Sequence, residues 1–314
     1  MNAVSENYRR SFMKTGLAGL GMALIFPEVL LGCKSNQIMV SEINENGKAF
    51  KLLRGSVGYF TERGGTIGWS ISKKGTVVVD TQFPEQAGHL IEEIKKYKSQ
   101  PIDLLINTHH HGDHTAGNIA FKDFVSRHIS HENAKKNLIE TATKANNLDK
   151  QLIPGETFSN VTKLVAGDEH ITMHYFGRGH TNGDAITHFE KANVIHMGDL
   201  VFNRRFPYID TSAGANIESW ISVLDKTVNT FDKDTIYIFG HSGDGYDITG
   251  TAEDINAFKN YLEQLLAFGK KSLASGIDLE TLKKQTTEIP GAPEWKGDGI
   301  ARSLDAVYKE LSKE

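Results

Sequence analysis

The chain holds a single cysteine, Cys33, in 314 residues. No intramolecular disulfide can therefore staple it, and the body of the fold has no thiol to serve as nucleophile or soft metal ligand. Long basic runs are also missing. The 35 Lys and Arg residues stand against 39 Asp and Glu, a formal net charge of −4, so the footprint that nucleic acid requires is absent. There is no internal repeat, low-complexity tract or mid-chain linker. The longest apolar run, Gly16 to Phe26, is broken by Gly19 and Gly21 and followed by Pro27, too short to span a bilayer comfortably. What remains, 39% hydrophobic and 24% charged residues, describes a globular protein with enough mass for a sizeable core.

The amino-terminal order is distinctive. Arg9-Arg10-Ser11-Phe12-Met13-Lys14 precedes the apolar run, and Leu30-Leu31-Gly32-Cys33 follows it. This resembles a twin-arginine export signal ending in a lipoprotein box; a buried amino-terminal helix is the competing reading. The expectation is a signal over residues 1–32, a lipid anchor at Cys33, a polar tether over 33–48 and a catalytic domain over 49–314. The protein would then be exported, as a periplasmic or membrane-anchored lipoprotein that touches the membrane only through its lipid. Cleavage would remove three basic and two acidic residues and leave a net charge of −5, which disfavours polyanionic partners and leaves a small molecule as the expected one.

Along the body, strand and helix patterns alternate. Thr76 to Asp80 is a β-branched run, followed after Pro84 by Ala87, Leu90, Ile91, Ile94 and Tyr97 at helical spacing. Further strands are predicted over 102–107, 124–128, 171–176, 185–189, 194–197 and 235–239, with helices over 131–145, 217–231 and 252–268.

Straight after the strand ending at Asn107 comes Thr108-His109-His110-His111-Gly112-Asp113-His114, four imidazoles and a carboxylate in seven residues. Neutral imidazole and carboxylate are ligands for divalent zinc, iron or manganese, and such a cluster is costly to hold together without a cation. His180, Asp199 and His241 each follow another predicted strand, so four loops at one sheet edge can converge on a single site. The competing readings are a turn carboxylate for Asp199 and a buried hydrogen-bonded imidazole for His241. His110 points the other way along an extended segment. His89, His128, His131, His170, His174, His188 and His196 lack motif support and read as surface or packing residues.

Five elements occur in order: Val79-Asp80-Thr81, the Thr108 to His114 run, Gly179-His180-Thr181-Asn182-Gly183-Asp184, Met197-Gly198-Asp199-Leu200-Val201-Phe202 and Phe239-Gly240-His241-Ser242. Together they resemble the metallo-β-lactamase superfamily of hydrolases. The resemblance implies an α+β fold, the four-layer αββα sandwich. It also implies two divalent cations, zinc in the first place with iron or manganese as alternatives. His109, His111 and His180 would hold one, Asp113, His114 and His241 the second, and Asp199 would bridge them. A metal-bound hydroxide would attack the substrate carbonyl, with Asp113 as catalytic proton acceptor. Asp80, Asp184 and Thr181 would steady the ligand histidines from behind.

Substrate contacts are expected from two loops. The hairpin over 58–66 could fold over the metals, with Phe60 or Trp69 as an apolar contact, or be a plain surface hairpin. In the segment Phe202 to Tyr208 after Asp199, an arginine, Arg204 in the first place, could meet a substrate carboxylate, or its arginines could form surface ion pairs. The expected function is cleavage of an ester, thioester, lactone or amide bond in a small molecule. The alternatives are a β-lactamase proper and a non-catalytic metal-binding lipoprotein. The segment from Gly198 to Phe202 resembles the thioester- and lactone-hydrolysing branches.

Overall fold

The computed structural model describes residues 48–98 and 101–312; the expected export signal, Cys33 and nearly all of the tether lie outside them. Strands β1 (Ala49–Arg54), β2 (Val57–Thr61), β3 (Ile67–Ile71) and β4 (Thr76–Val79) form an antiparallel meander. Helix α1 (Pro84–Lys95) then crosses to β5 (Leu104–Asn107), parallel to β4. After the short α2 (Gly112–Thr115), β6 (His128–His131), α3 (Glu132–Lys144) and β7 (Glu156–Phe158) complete a seven-stranded sheet in sequence order.

The second half supplies β8 (Val161–Ala166), β9 (Glu169–His174), β10 (Ile186–Phe189), β11 (Val194–His196), β12 (Phe202–Asn203), β13 (Ile236–Ile238), β14 (His241–Ser242) and β15 (Thr249–Gly250). Six of these form a sheet in the order β15-β13-β11-β10-β9-β8, and β12 and β14 pair as a separate parallel ribbon. Helices α4 (Ile217–Thr230), α5 (Ala252–Ala274), α6 (Leu279–Gln285) and α7 (Ile300–Leu311) accompany this half.

Four layers follow from the period-two alternation of strand side chains. Val77, Val79, Leu104 and Ile106 point between the sheets, where they meet Ile171, Met173, Phe189, Val194 and Ile238. Their neighbours Val78 and Leu105 point outward, onto Ala87, Leu90 and Ile94 of α1. On the far side Ile195, Tyr237 and Phe239 pack against Trp220 of α4 and Phe258 and Leu262 of α5. Burying each large side chain is worth about 1.5–3 kcal/mol, and a one-residue slip of any central strand would exchange two full sets. The fold is therefore an αββα sandwich with α+β composition.

One predicted strand is displaced. Residues 124–128 give way to β6 at His128–His131, and Phe124 is 41% exposed. A short apolar run cannot distinguish strand from turn by periodicity; here Phe124 bonds back to Phe121 and only Val125 bridges to Ile102. The His131 ring lies just past it and caps α3 by accepting from Asn133 N–H.

Candidate metal centre

The sandwich brings its active loops to one edge by strand direction. β4 and β5 run parallel, so Asp80 and Thr108 leave the first sheet at the same end. β11 and β13 are parallel too, and β9 meets β10 antiparallel, so the loops after β9, β11 and β13 share one end of the second sheet. Ala185 N–H donates to the Thr108 carbonyl at 2.8 Å and clamps the two edges together.

At this edge His109, His111, His180 and Asp199 place ligand atoms within 4.8 Å of one another, and Asp113, His114 and His241 do the same beside them. Asp199 lies between the two groups. Its Oδ1 is 2.9 Å from His114 Nε2, and its Oδ2 is 3.4 Å from His241 Nε2, 3.5 Å from His180 Nε2 and 3.9 Å from His109 Nε2. Asp113 Oδ2 lies 3.2 Å from His241 Nε2.

The hydrogen bonds behind the rings fix which nitrogen faces inward. His180 Nδ1–H donates to the Tyr208 carbonyl at 2.6 Å, and His111 Nε2–H donates to Asp210 Oδ2 at 2.8 Å. The remaining nitrogens, His180 Nε2 and His111 Nδ1, face each other at 2.8 Å with their protons already committed elsewhere. Two lone pairs at that distance repel unless a cation lies between them.

His114 Nδ1–H donates to Asp80 Oδ2 at 2.7 Å. The Thr108 hydroxyl donates to the same oxygen at 2.7 Å and accepts from His109 Nδ1–H at 3.0 Å. One buried carboxylate thus sets the tautomer of an imidazole in each group. The inward atom His109 Nε2 is buried and has no hydrogen-bond partner, and His114 Nε2 and Asp199 Oδ1, equally buried, have only each other at 2.9 Å; leaving such a group unsatisfied is costly unless something else coordinates it. The donor set is imidazole and carboxylate throughout, and it fits divalent cations.

Backbone conformation serves this arrangement. Asp80 has φ +65°, a sparsely populated region for a residue with a Cβ. The turn aims its carboxylate at Thr108 N–H, 2.8 Å away, as well as at the two side chains. Gly65, in the loop between β2 and β3, lies so close to the site that a Cβ there would sit 2.1 Å from the His114 ring. A Cβ on Gly240 would come 2.0 Å from Asp199 Oδ1.

The charges divide accordingly. Burial holds His109 well below its ordinary value, with the neighbouring imidazoles adding to the effect, and takes His180 down to about 3. For His241 burial acts in the same direction, but the Asp199 charge and hydrogen bonds to Asp113 and Asp199 overcome it and raise the ring to about 9. Burial would raise Asp113; the His114 charge and the His241 contact instead hold it at about 2.

Several expected roles change. Phe60 and Trp69 are both fully buried in the core against α1, where Trp69 stacks on Phe50; neither faces the site, because their strand positions point away from it. Arg204 is bonded to Asp254 at 3.0 Å and lies over Trp295, so it braces α5. Asp184 contacts no ligand ring. It accepts from Thr181 N–H, Thr181 Oγ1 and Gly179 N–H and so shapes the loop that carries His180. Thr181 likewise spends its hydroxyl on Asp184. His196 is structural: Nε2–H donates to the Thr66 carbonyl, and Nδ1 accepts from Gly198 N–H.

Sequence reasoning missed Asp210, which grips His111 and is itself held by Ser212 and Ala213. No local motif marks it, since its partner is 99 residues away. Arg302 was missed too; with Arg205 of the segment after Asp199, and with Asp113, Tyr208 and His241, it lines a cavity of about 340 Å³ over the cluster. An adjoining cavity of about 300 Å³ shares Arg205 and His241 and extends to Tyr59 and Glu62.

An αββα sandwich that gathers two imidazole–carboxylate groups around one shared carboxylate, under an open cavity, defines a metal-dependent hydrolase. The chain belongs to the metallo-beta-lactamase superfamily, whose family model matches residues 63–241. Metallo-beta-lactamase IND-1 of Chryseobacterium indologenes is 29% identical over 173 residues, 54% of this chain and 69% of that protein. Metallo-beta-lactamase type 2 of Bacillus cereus is 24% identical over 216 residues, 66% of this chain and 78% of its own length. Among solved structures, the metallo-beta-lactamase from Pontibacter korlensis superposes with a TM-score of 0.55 at 20% identity, covering 72% of this chain and 98% of its own. The stereoselective inverting sec-alkylsulfatase Pisa1 from Pseudomonas sp. gives 0.62 at 13% identity and covers 80% of this chain. The chain spans about half the length of that sulfatase. Among the described residues no helix is long and apolar enough to cross a membrane.

Proposed function

We propose that the chain is a dinuclear metal-dependent hydrolase that opens an ester, thioester, lactone or amide bond in a small molecule, with zinc as its resident cation. The observation that carries this reading is the pair of inward imidazole lone pairs, His111 Nδ1 and His180 Nε2, facing each other at 2.8 Å beside Asp199. His109, His111 and His180 hold one cation, Asp113, His114 and His241 hold the other, and Asp199 is shared. When bound, the cations supply a water whose pKa falls from about 15.7 toward about 7, and polarise the scissile carbonyl.

The rest of the chemistry belongs to the chain. Asp80, Thr108, Asp210 and the Tyr208 carbonyl fix the four ring tautomers before any ligand arrives. Asp113 lines the cavity; as an ionised carboxylate it accepts the proton released on attack and returns it to the leaving group. No side-chain nucleophile is needed. The same reading makes the protein an exported lipoprotein anchored through Cys33, on the order of the amino-terminal motifs.

Hydrolysis of β-lactams is the second reading, favoured by the curated β-lactamase relatives. The test for both is one panel. The purified protein is assayed for metal per chain and for turnover of nitrocefin, a lactone and a thioester. Lactone or thioester turnover that disappears with chelator and returns with zinc is the expected result. Turnover of nitrocefin alone would put the second reading first, and full metal loading without turnover of any substrate would refute both.

A further inference from the structure

Two arginines line the cavity over the metal cluster, and among the described residues neither is paired with a carboxylate. Arg205 follows β12, is exposed, and lines both this cavity and the adjoining one. Arg302 lies on α7, beyond the span of residues 63–241 that the family model matches. Its Nη2 donates only to the Asp298 carbonyl at 3.1 Å, and its guanidinium lies 5.7 Å from the Tyr208 ring centroid. The adjacent Arg204, by contrast, is paired with Asp254 at 3.0 Å.

The segments that carry the two arginines are held together by hydrogen bonds. Lys296 N–H donates to the Arg204 carbonyl at 3.2 Å, and Phe206 N–H donates to the Lys296 carbonyl at 3.1 Å. Ser303 Oγ donates to the Pro207 carbonyl at 3.4 Å. The turn into α7 is thereby clipped along residues 204–207. Tyr208, the next residue, offers its carbonyl to His180 and its ring to Arg302, so the arginine from the carboxyl-terminal helix is referenced to a metal ligand through one residue.

We propose that Arg205 and Arg302 form an oxyanion-recognising subsite, so that the substrate class is an anionic small molecule held by charge-assisted hydrogen bonds while its scissile group lies over the metal cluster. This rests on the hydrolase reading of the cluster. The oxyanion can be a spectator carboxylate on an ester or amide, or the scissile group itself in a sulfate ester. The planar guanidinium fork suits either.

The test separates this inference from the hydrolase reading by measuring binding as well as turnover. Zinc-loaded protein is titrated by calorimetry with dicarboxylates from succinate to pimelate and with the monocarboxylates of the same chain lengths. At least one dicarboxylate should bind about tenfold more tightly than its monocarboxylate, the worth of one charge-assisted hydrogen bond. Most of that preference should vanish in R205Q and in R302Q and persist in K163Q, which removes a charge from the exposed edge of β8. Equal binding throughout the series, or a preference that survives both arginine substitutions, would overturn the subsite.

Turnover is compared for 4-nitrophenyl hydrogen glutarate, its neutral methyl ester and 4-nitrophenyl sulfate. A spectator carboxylate predicts a KM penalty in the arginine variants on the charged glutarate ester alone. A scissile sulfate predicts arginine-dependent turnover of the aryl sulfate. Retained dicarboxylate preference with no turnover of any substrate would refute the hydrolase reading and leave the subsite standing.

Discussion

Asp80→Asn is the sharpest perturbation the site offers. Asp80 is fully buried and accepts from Thr108 N–H at 2.8 Å, Thr108 Oγ1 at 2.7 Å and His114 Nδ1 at 2.7 Å. Asparagine keeps the volume but turns one acceptor oxygen into a donor. If its remaining oxygen stays on the Thr108 amide, its NH₂ faces His114 Nδ1, and the ring relaxes by carrying its proton on Nε2 instead. That proton occupies the atom 2.9 Å from Asp199 Oδ1, where a cation is to be held. Loss of such a support typically costs about 10- to 100-fold in metal affinity, or about 1.4–2.7 kcal/mol. The metal-free protein should also lose about 1.5–3 kcal/mol, the worth of one hydrogen bond to a charged group.

The assay is zinc competition against a chromophoric chelator, fitted with two sites, together with thermal unfolding in excess EDTA. The site that contains His114 should weaken and the unfolding temperature should fall. Thr108→Val provides the internal contrast: it cuts the relay to His109 and leaves the Asp80 to His114 bond in place, so its effect should fall on the other site. Unchanged affinity at both sites in Asp80→Asn would refute the tautomer argument.

Gly240→Ala should reduce zinc stoichiometry, because its Cβ would fall 2.0 Å from Asp199 Oδ1; full loading measured by atomic emission would show that the loop yields without displacing the carboxylate. Arg204→Gln should leave KM unchanged and cost about 1 kcal/mol of stability in a denaturant titration, since its bond to Asp254 is only partly shielded. A changed KM with unchanged stability would return Arg204 to the substrate. On acidification the cation at Asp113, His114 and His241 should leave first. In the metal-free site Asp199 and Asp113, acting against burial, raise His241 to about 9, so protons compete with the cation at every pH below that value. Burial holds His109 well below its ordinary value and takes His180 to about 3, so at these two rings such competition is confined to strong acid. Dialysis across the acidic range with metal analysis should give a step from two cations per chain toward one, and simultaneous loss of both would contradict the assignment.

The residues that could hold the cations were legible because their chemistry is written locally. The Thr108 to His114 run concentrates imidazole and carboxylate in one loop, and His180, Asp199 and His241 each follow an apolar strand pattern, which is why the shared edge could be read from periodicity, while the sandwich followed from the family resemblance of the ordered motifs. The strand over 124–128 was misplaced because a five-residue segment with only two apolar residues, Phe124 and Val125, has no decisive period. Phe60 and Trp69 were assigned to the substrate because they flank a Gly-rich hairpin, yet alternation along β2 and β3 turns both into the core.

The sequence by itself determined the residues able to hold a cation and, through the order of its five motifs, the family and with it the sandwich, since motif composition and ligand type are short-range properties. Only the tertiary structure decided which groups stand behind them. That Asp80 governs His109 and His114 together, that Asp210 holds a histidine 99 residues away, and that Arg205 and Arg302 rather than Arg204 line the cavity over the cluster depend on distances between segments remote in the chain. No pattern within one segment encodes such distances; packing of the two sheets and the clip on α7 set them.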